Sequence, residues 1–108
     1  MNTQNEIKKE IWIGLAHVKP KQGNDALQGA KGAFAPILSM ATDVNSFIST
    51  ATSFLNAHGF EVIEMEDVQI FEERCRDADV DEELMTLAQN LSETDPVQID
   101  IFQSYIDE

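Results

Sequence analysis

The run Ile11-Trp12-Ile13-Gly14-Leu15-Ala16-His17-Val18 puts apolar groups at both parities of an extended chain. Successive strand side chains point to opposite faces of a sheet, so a run apolar on both parities is buried on both faces. It predicts a central strand, ended by Pro20. Gly14 within it signals a bulge or the close approach of another group.

Ala33–Ala41 reads as a second strand, with Phe34, Leu38 and Met40 on one parity. Pro36 has no N–H to give a neighbour, which predicts an edge position or a bulge there. Thr42 or Asp43 then caps a helix in which Val44, Phe47, Ile48, Ala51, Leu55 and His58 recur at the 3.6-residue period. Its β-branched residues make it weak alone, so it must be held by packing on the sheet. Gly59 supplies a left-handed stop. Phe60–Glu66 is a third strand. A strand–helix–strand crossover is nearly always right-handed, which predicts that this strand lies parallel to the second.

Residues 67–79 are ambiguous: Val68, Ile70, Phe71 and Cys75 face a core from either a short helix or a loop. A second helix is expected to start near Asp79, with Glu82 at capping-box spacing and Leu84, Leu87, Ala88 and Leu91 as its buried stripe. Thr94-Asp95-Pro96 ends it. Val97–Ile101 alternates as a last strand, continued by Phe102, Tyr105 and Ile106.

The expected fold is an α+β or α/β two-layer sandwich of order β-β-α-β-α-β. Its sheet would be four-stranded and mixed, with two helices on one face. A true helix at 24–30 would change the order to β-α-β-α-β-α-β. The 108 residues suit one domain, with 1–8 frayed and 19–32 a long Gly/Lys-rich loop, functional or mobile.

The net charge of −13 is unevenly placed: residues 1–31 carry +2 and residues 32–108 carry −15. Such a chain repels phosphate backbones and anionic bilayers, so neither nucleic acid nor a membrane is an expected partner. A basic protein is the natural complement, although the same charge also serves solubility. No apolar run approaches the ~20 residues of a membrane span. Cys75 alone excludes an internal disulfide, and MNTQNEIKKE has no secretory leader, so the expected compartment is the cytoplasm.

Motifs for chemistry are weak. Asp77, Asp79 and Asp81 begin like a calcium loop, but Glu82 stands where Gly is needed and Ala88 where a bidentate Glu is needed. Gly23, Gly29 and Gly32 match no phosphate-binding pattern, and the lysines around them read first as a surface loop. His17 reads as a packed, hydrogen-bonded imidazole, and His58 as a helix-end residue. Cys75 lies between Arg74 and Arg76, which suits a reactive thiol if exposed and a small hydrophobe if half-buried; the second is expected. No catalytic residue, metal or cofactor is expected.

These features favour a small acidic protein-interaction module of the inhibitor or immunity-protein kind. Its expected face holds Glu61, Glu64, Glu66, Glu72 and Glu73, with Phe71, Phe102 and Tyr105 as aromatic anchors. Two alternatives remain. One is a small-molecule or enzymatic domain with its site at the carboxyl ends of parallel strands, lined by His17, the 19–32 loop and Met65 to Val68. The other is homo-oligomerisation through an edge strand, the second or the last.

Overall fold

The computed structural model describes residues 9–77 and 80–105. The elements run β1 (Glu10–Pro20), β2 (Gly32–Ala41), α1 (Val44–Ala57), β3 (Phe60–Ile70), α2 (Phe71–Asp77), α3 (Glu82–Gln89), β4 (Val97–Ile99) and β5 (Gln103–Tyr105). The five strands form one sheet of order β3-β1-β2-β4, with β5 also on β2. Every pairing is antiparallel.

The expected central strand is central. β1 lies between β2 and β3, antiparallel to both. β2 and β3 therefore run in the same direction, as the crossover rule demands, but the α1 passage skips over β1 rather than making neighbours of them. The expected mixed sheet with a parallel pair is corrected on this point. The four expected strands become five because the last one is broken in two.

That break has a chemical cause. The backbone groups of a β-strand residue alternate between its two neighbours. The Pro36 carbonyl accepts from the Asp100 N–H at 2.9 Å, so the backbone of Pro36 faces the last strand, where its missing N–H leaves a gap in the ladder. β4 pairs Ile99 with Ile37, whereas β5 pairs Gln103 with Phe34, a shift of one residue across that gap. Pro36 thus sits on an inner strand, not at an edge, and disrupts its partner.

The registers sort side chains onto two faces. On the first, β1 presents Trp12, Gly14, Ala16 and Val18, and β2 presents Ala33, Ala35, Ile37 and Ala41. Helix α1 lies there, burying Phe47, Ala51 and Leu55. The alanines and Gly14 let the helix come close. A Cβ on Gly14 would stand 3.1 Å from Phe47 Cε2 and 3.2 Å from Val68 Cγ2. Asp43 is the N-cap, accepting from the Ser46 N–H at 2.7 Å, and Gly59 ends the helix at φ +90°.

The second face carries Ile13 and Leu38, packed against Phe71 of α2 and Leu84 of α3. The helices therefore lie on both faces, which corrects the two-layer arrangement with helices on one side. Single-sided amphipathic helices cannot reveal this, because either face of a doubly buried strand will accept them. β3 runs straight into α2, which settles the ambiguous stretch up to Asp77. The expected cap Asp79 lies outside the described residues. Asp81 caps α3 instead, accepting from the Leu84 N–H at 3.1 Å.

The Gly/Lys-rich loop is tied down. Asn24 donates through Nδ2 to the Gly59 carbonyl at 2.6 Å and accepts from the Ala26 N–H at 2.9 Å. Leu27 and Ala30 are buried against the first core. No helix forms at 24–30, where Gln28 and Gly29 both adopt positive φ.

Candidate functional site

Helices α2 and α3 cover only the Ile13–Leu38 end of the second face. At the other end the same face carries His17 of β1, Phe34 of β2 and Tyr105 of β5, all partly exposed. The His17 and Phe34 rings stack at 4.2 Å and 16°. Tyr105 tilts against Phe34 at 5.8 Å and against His17 at 5.7 Å. The Tyr105 hydroxyl and His17 Nε2 share a 2.7 Å hydrogen bond.

Gly32 makes this arrangement possible. It is the cross-strand partner of Tyr105, and the phenol ring crosses it to reach His17. A Cβ on Gly32 would overlap the Tyr105 hydroxyl and stand 2.7 Å from Cζ. An aromatic ring laid over a strand glycine covers backbone that would otherwise be bare.

The acidic border comes from β3, which is an edge of the sheet. Its register places Glu64 opposite His17, Glu66 opposite Leu15 and Glu61 opposite Lys19, all on the aromatic face. The first of two bulges brings Glu61 onto the face that Glu64 and Glu66 share. Between Val62 and Glu64, and again between Glu66 and Gln69, β3 has one residue more than β1. The second bulge holds Asp67 at φ +54°. Without the first insertion a period of two would put Glu61 and Glu64 on opposite faces. Glu61 meets Lys19 at 3.7 Å with both side chains at least half exposed, a solvated pair of about 0.2–1 kcal/mol.

The residues expected to form one interaction face thus separate. Glu61, Glu64, Glu66 and Tyr105 come together. Glu72 and Glu73 are exposed on α2, beyond the covered end. Phe71 is only 6% exposed and belongs to the second core, so it is corrected from anchor to core residue. Phe102 lies with the first core, stacked on Phe60 at 4.8 Å. His17 and Phe34 were not expected on the face. Their only sequence signal is that His17 keeps the parity of Ile13 and Phe34 that of Leu38, which becomes meaningful once β1 and β2 are paired. Cys75 is exposed rather than half-buried, because Phe71 is the one buried residue of the short helix α2.

The arrangement suits recognition of a cation. Aromatic faces attract ammonium and guanidinium groups lying within about 6 Å of a ring centroid, and the glutamates beside them add a Coulombic term. Among the described residues, no group of three or more His, Cys, Asp or Glu could hold a metal ion. None of the described helices is long and apolar enough to cross a membrane. The crevice expected at the ends of adjacent parallel strands does not form, because β1 separates β2 from β3. The second strand is likewise inner and offers no free edge for self-pairing. No protein-family model matches the chain, and neither a curated protein nor a solved structure is significantly similar to it.

Proposed function

We propose that this chain is a small acidic interaction module, of the inhibitor or immunity-protein kind, that docks a basic protein partner on the open end of its second sheet face. It would act in the cytoplasm, where an exposed lone cysteine stays reduced. The observation that carries the reading is one juxtaposition. Three glutamates of the edge strand share a face with the His17–Phe34–Tyr105 cluster, and none of the described helices lies over them. Phe34 and Tyr105 would serve as anchors, since aromatics within a polar rim dominate binding energy. Glu61, Glu64 and Glu66 would speed encounter and reject acidic competitors.

An arginine-rich peptide is a direct probe, followed by amide chemical shifts. Signals of residues 17, 34, 61–66 and 105 should move together. Glu61→Gln, Glu64→Gln and Glu66→Gln combined should weaken binding about tenfold, from roughly 0.5 kcal/mol for each solvated pair. Glu82→Gln, Glu83→Gln and Glu93→Gln combined change the net charge equally from elsewhere and should weaken it much less. Equal losses from the two triple variants would mean diffuse attraction to an acidic protein, and the proposed face would be abandoned.

A further inference from the structure

Sulfur is scarce in this chain, which has four methionines and one cysteine. Met40, Met65, Cys75 and Met85 lie among the described residues. Three of these, Met40, Cys75 and Met85, line a single open cavity of about 460 Å3. It lies on the second sheet face, at the end remote from His17. Met40 comes from β2, where it pairs with Ile11 of β1. Cys75 comes from α2, one turn beyond the buried Phe71 and on the same side of that helix. Met85 comes from α3. Three separate elements thus bring sulfur to one place. Core packing does not account for this, because a methionine that fills a core gap is buried. Met40 is 37% exposed and Met85 41% exposed, and Cys75 is exposed as well.

We infer that this cavity is a site for a soft monovalent metal ion, copper(I) or its redox-inert analogue silver(I), held by the Cys75 thiolate and the Met40 and Met85 thioethers. Thiolate and thioether sulfur select copper(I), whereas calcium takes oxygen ligands and zinc takes Cys, His and carboxylates. Methionine has three rotatable bonds, so both thioethers can swing toward the thiolate across the open cavity. Glu10 and Glu72 outnumber Lys9 on the same walls, which favours a cation. Binding replaces the Cys75 S–H bond by a sulfur–metal bond, and the proton passes to the buffer. No electron moves, because the ion enters and stays monovalent. The site stands at the opposite end of the face from the aromatic cluster and does not depend on what docks there.

The test uses the whole chain, 13C-labelled at the methionine methyls and titrated with silver nitrate in chloride-free buffer. The Met40 and Met85 signals should move together and saturate with a single ion per chain. Met65 packs against the first core, on the other side of the sheet, and should stay still as the internal reference. A zinc salt should leave all three signals still. Copper(I), competed against a chromophoric chelator without oxygen, gives the affinity. Met40→Leu and Met85→Leu combined keep the walls apolar and remove both thioethers. Even the outer-shell partners of a metal are worth about 10–100-fold in affinity, so this loss of two donors should weaken copper(I) at least about tenfold. Cys75→Ser should weaken it no less. Unmoved Met40 and Met85 signals, or a double methionine variant that binds copper(I) as tightly as the parent, would mean that an exposed thiol alone holds the ion, and would overturn the site. Equal movement of Met65, or an equal response to zinc, overturns it too. The wild-type titration is decisive even should a variant fold poorly.

Discussion

Replacing Gly32 by alanine tests the aromatic face at its most constrained point. The added Cβ would stand 2.7 Å from Tyr105 Cζ and 2.9 Å from the Val18 carbonyl oxygen. Ordinary contact begins near 3.4 Å, so the ring must retreat by at least about 0.7 Å. A retreat of that size stretches the 2.7 Å hydrogen bond between Tyr105 and His17 to its useful limit. Overpacking costs about 1–3 kcal/mol. The lost hydrogen bond adds about 0.5–1.5 kcal/mol. Restricting the unfolded chain returns about 0.4–1 kcal/mol. The net expectation is a loss of about 2 kcal/mol. Urea unfolding should show it as a midpoint lowered by about 1 M, given an m-value of about 1–3 kcal/mol/M for a small domain. A Tyr105→Ala background removes the ring and leaves the Val18 carbonyl in the way. The same glycine substitution should then cost about 1 kcal/mol less, and that difference is the coupling between the two sites. A neutral or stabilising Gly32→Ala, or an identical cost in both backgrounds, would refute the account of how Tyr105 is seated.

Other outcomes follow from the same structure. Glu61, Glu64, Glu66, Asp67, Glu72, Glu73 and Asp77 crowd into β3 and α2, and Lys19 makes the one ion pair recorded with them among the described residues. Raising salt from low to physiological strength should therefore increase the melting temperature by screening; a decrease contradicts this. Phe47 is fully buried between α1 and the sheet, so Phe47→Ala should cost about 3–5 kcal/mol in denaturant unfolding. Asp81→Ala should remove the α3 cap at about 0.5–2 kcal/mol, and a cost near zero would mean that another group caps the helix.

The sequence speaks clearly where a pattern is local. The double-sided apolar run identified β1 as central, the 3.6-residue period and Gly59 bounded α1, and Pro36 marked a defect in the sheet. What it hides is relational. The crossover rule orders β2 and β3 by direction, not by adjacency, and the centrality of β1 is satisfied by placing it between them. The two inferences were each sound, but only together do they give the order β3-β1-β2. The face of each helix was hidden for a related reason, since β1 accepts cover on both sides. For the candidate site, the acids of β3 were visible, but their common orientation was not. It depends on one residue inserted between Val62 and Glu64 that no alternation announces. Phe71 misled because an aromatic beside Glu72 and Glu73 reads as a surface anchor, while the helix that begins there turns it inward.

The break at Pro36 divides the last strand into two ladders of three residues each. β4 is anchored by Val97 and Ile99 against the first core, and by Ser39, which donates to the Pro96 carbonyl at 2.9 Å. β5 buries no side chain in that core: it rests on its short pairing with Gly32–Phe34, on the Lys31 N–H bond to the Tyr105 carbonyl at 3.1 Å, on the Tyr105 ring, and on Phe102 just before it, stacked on Phe60. Beyond Phe102, β5 can therefore peel away while the rest of the sheet stays closed, because among the described residues few buried contacts oppose a local opening. Its departure would bare Phe34 and carry Tyr105 off on a tether. The aromatic surface would then exist in two versions separated by a small energy gap, a built-in latitude for partners that do not fit the closed form.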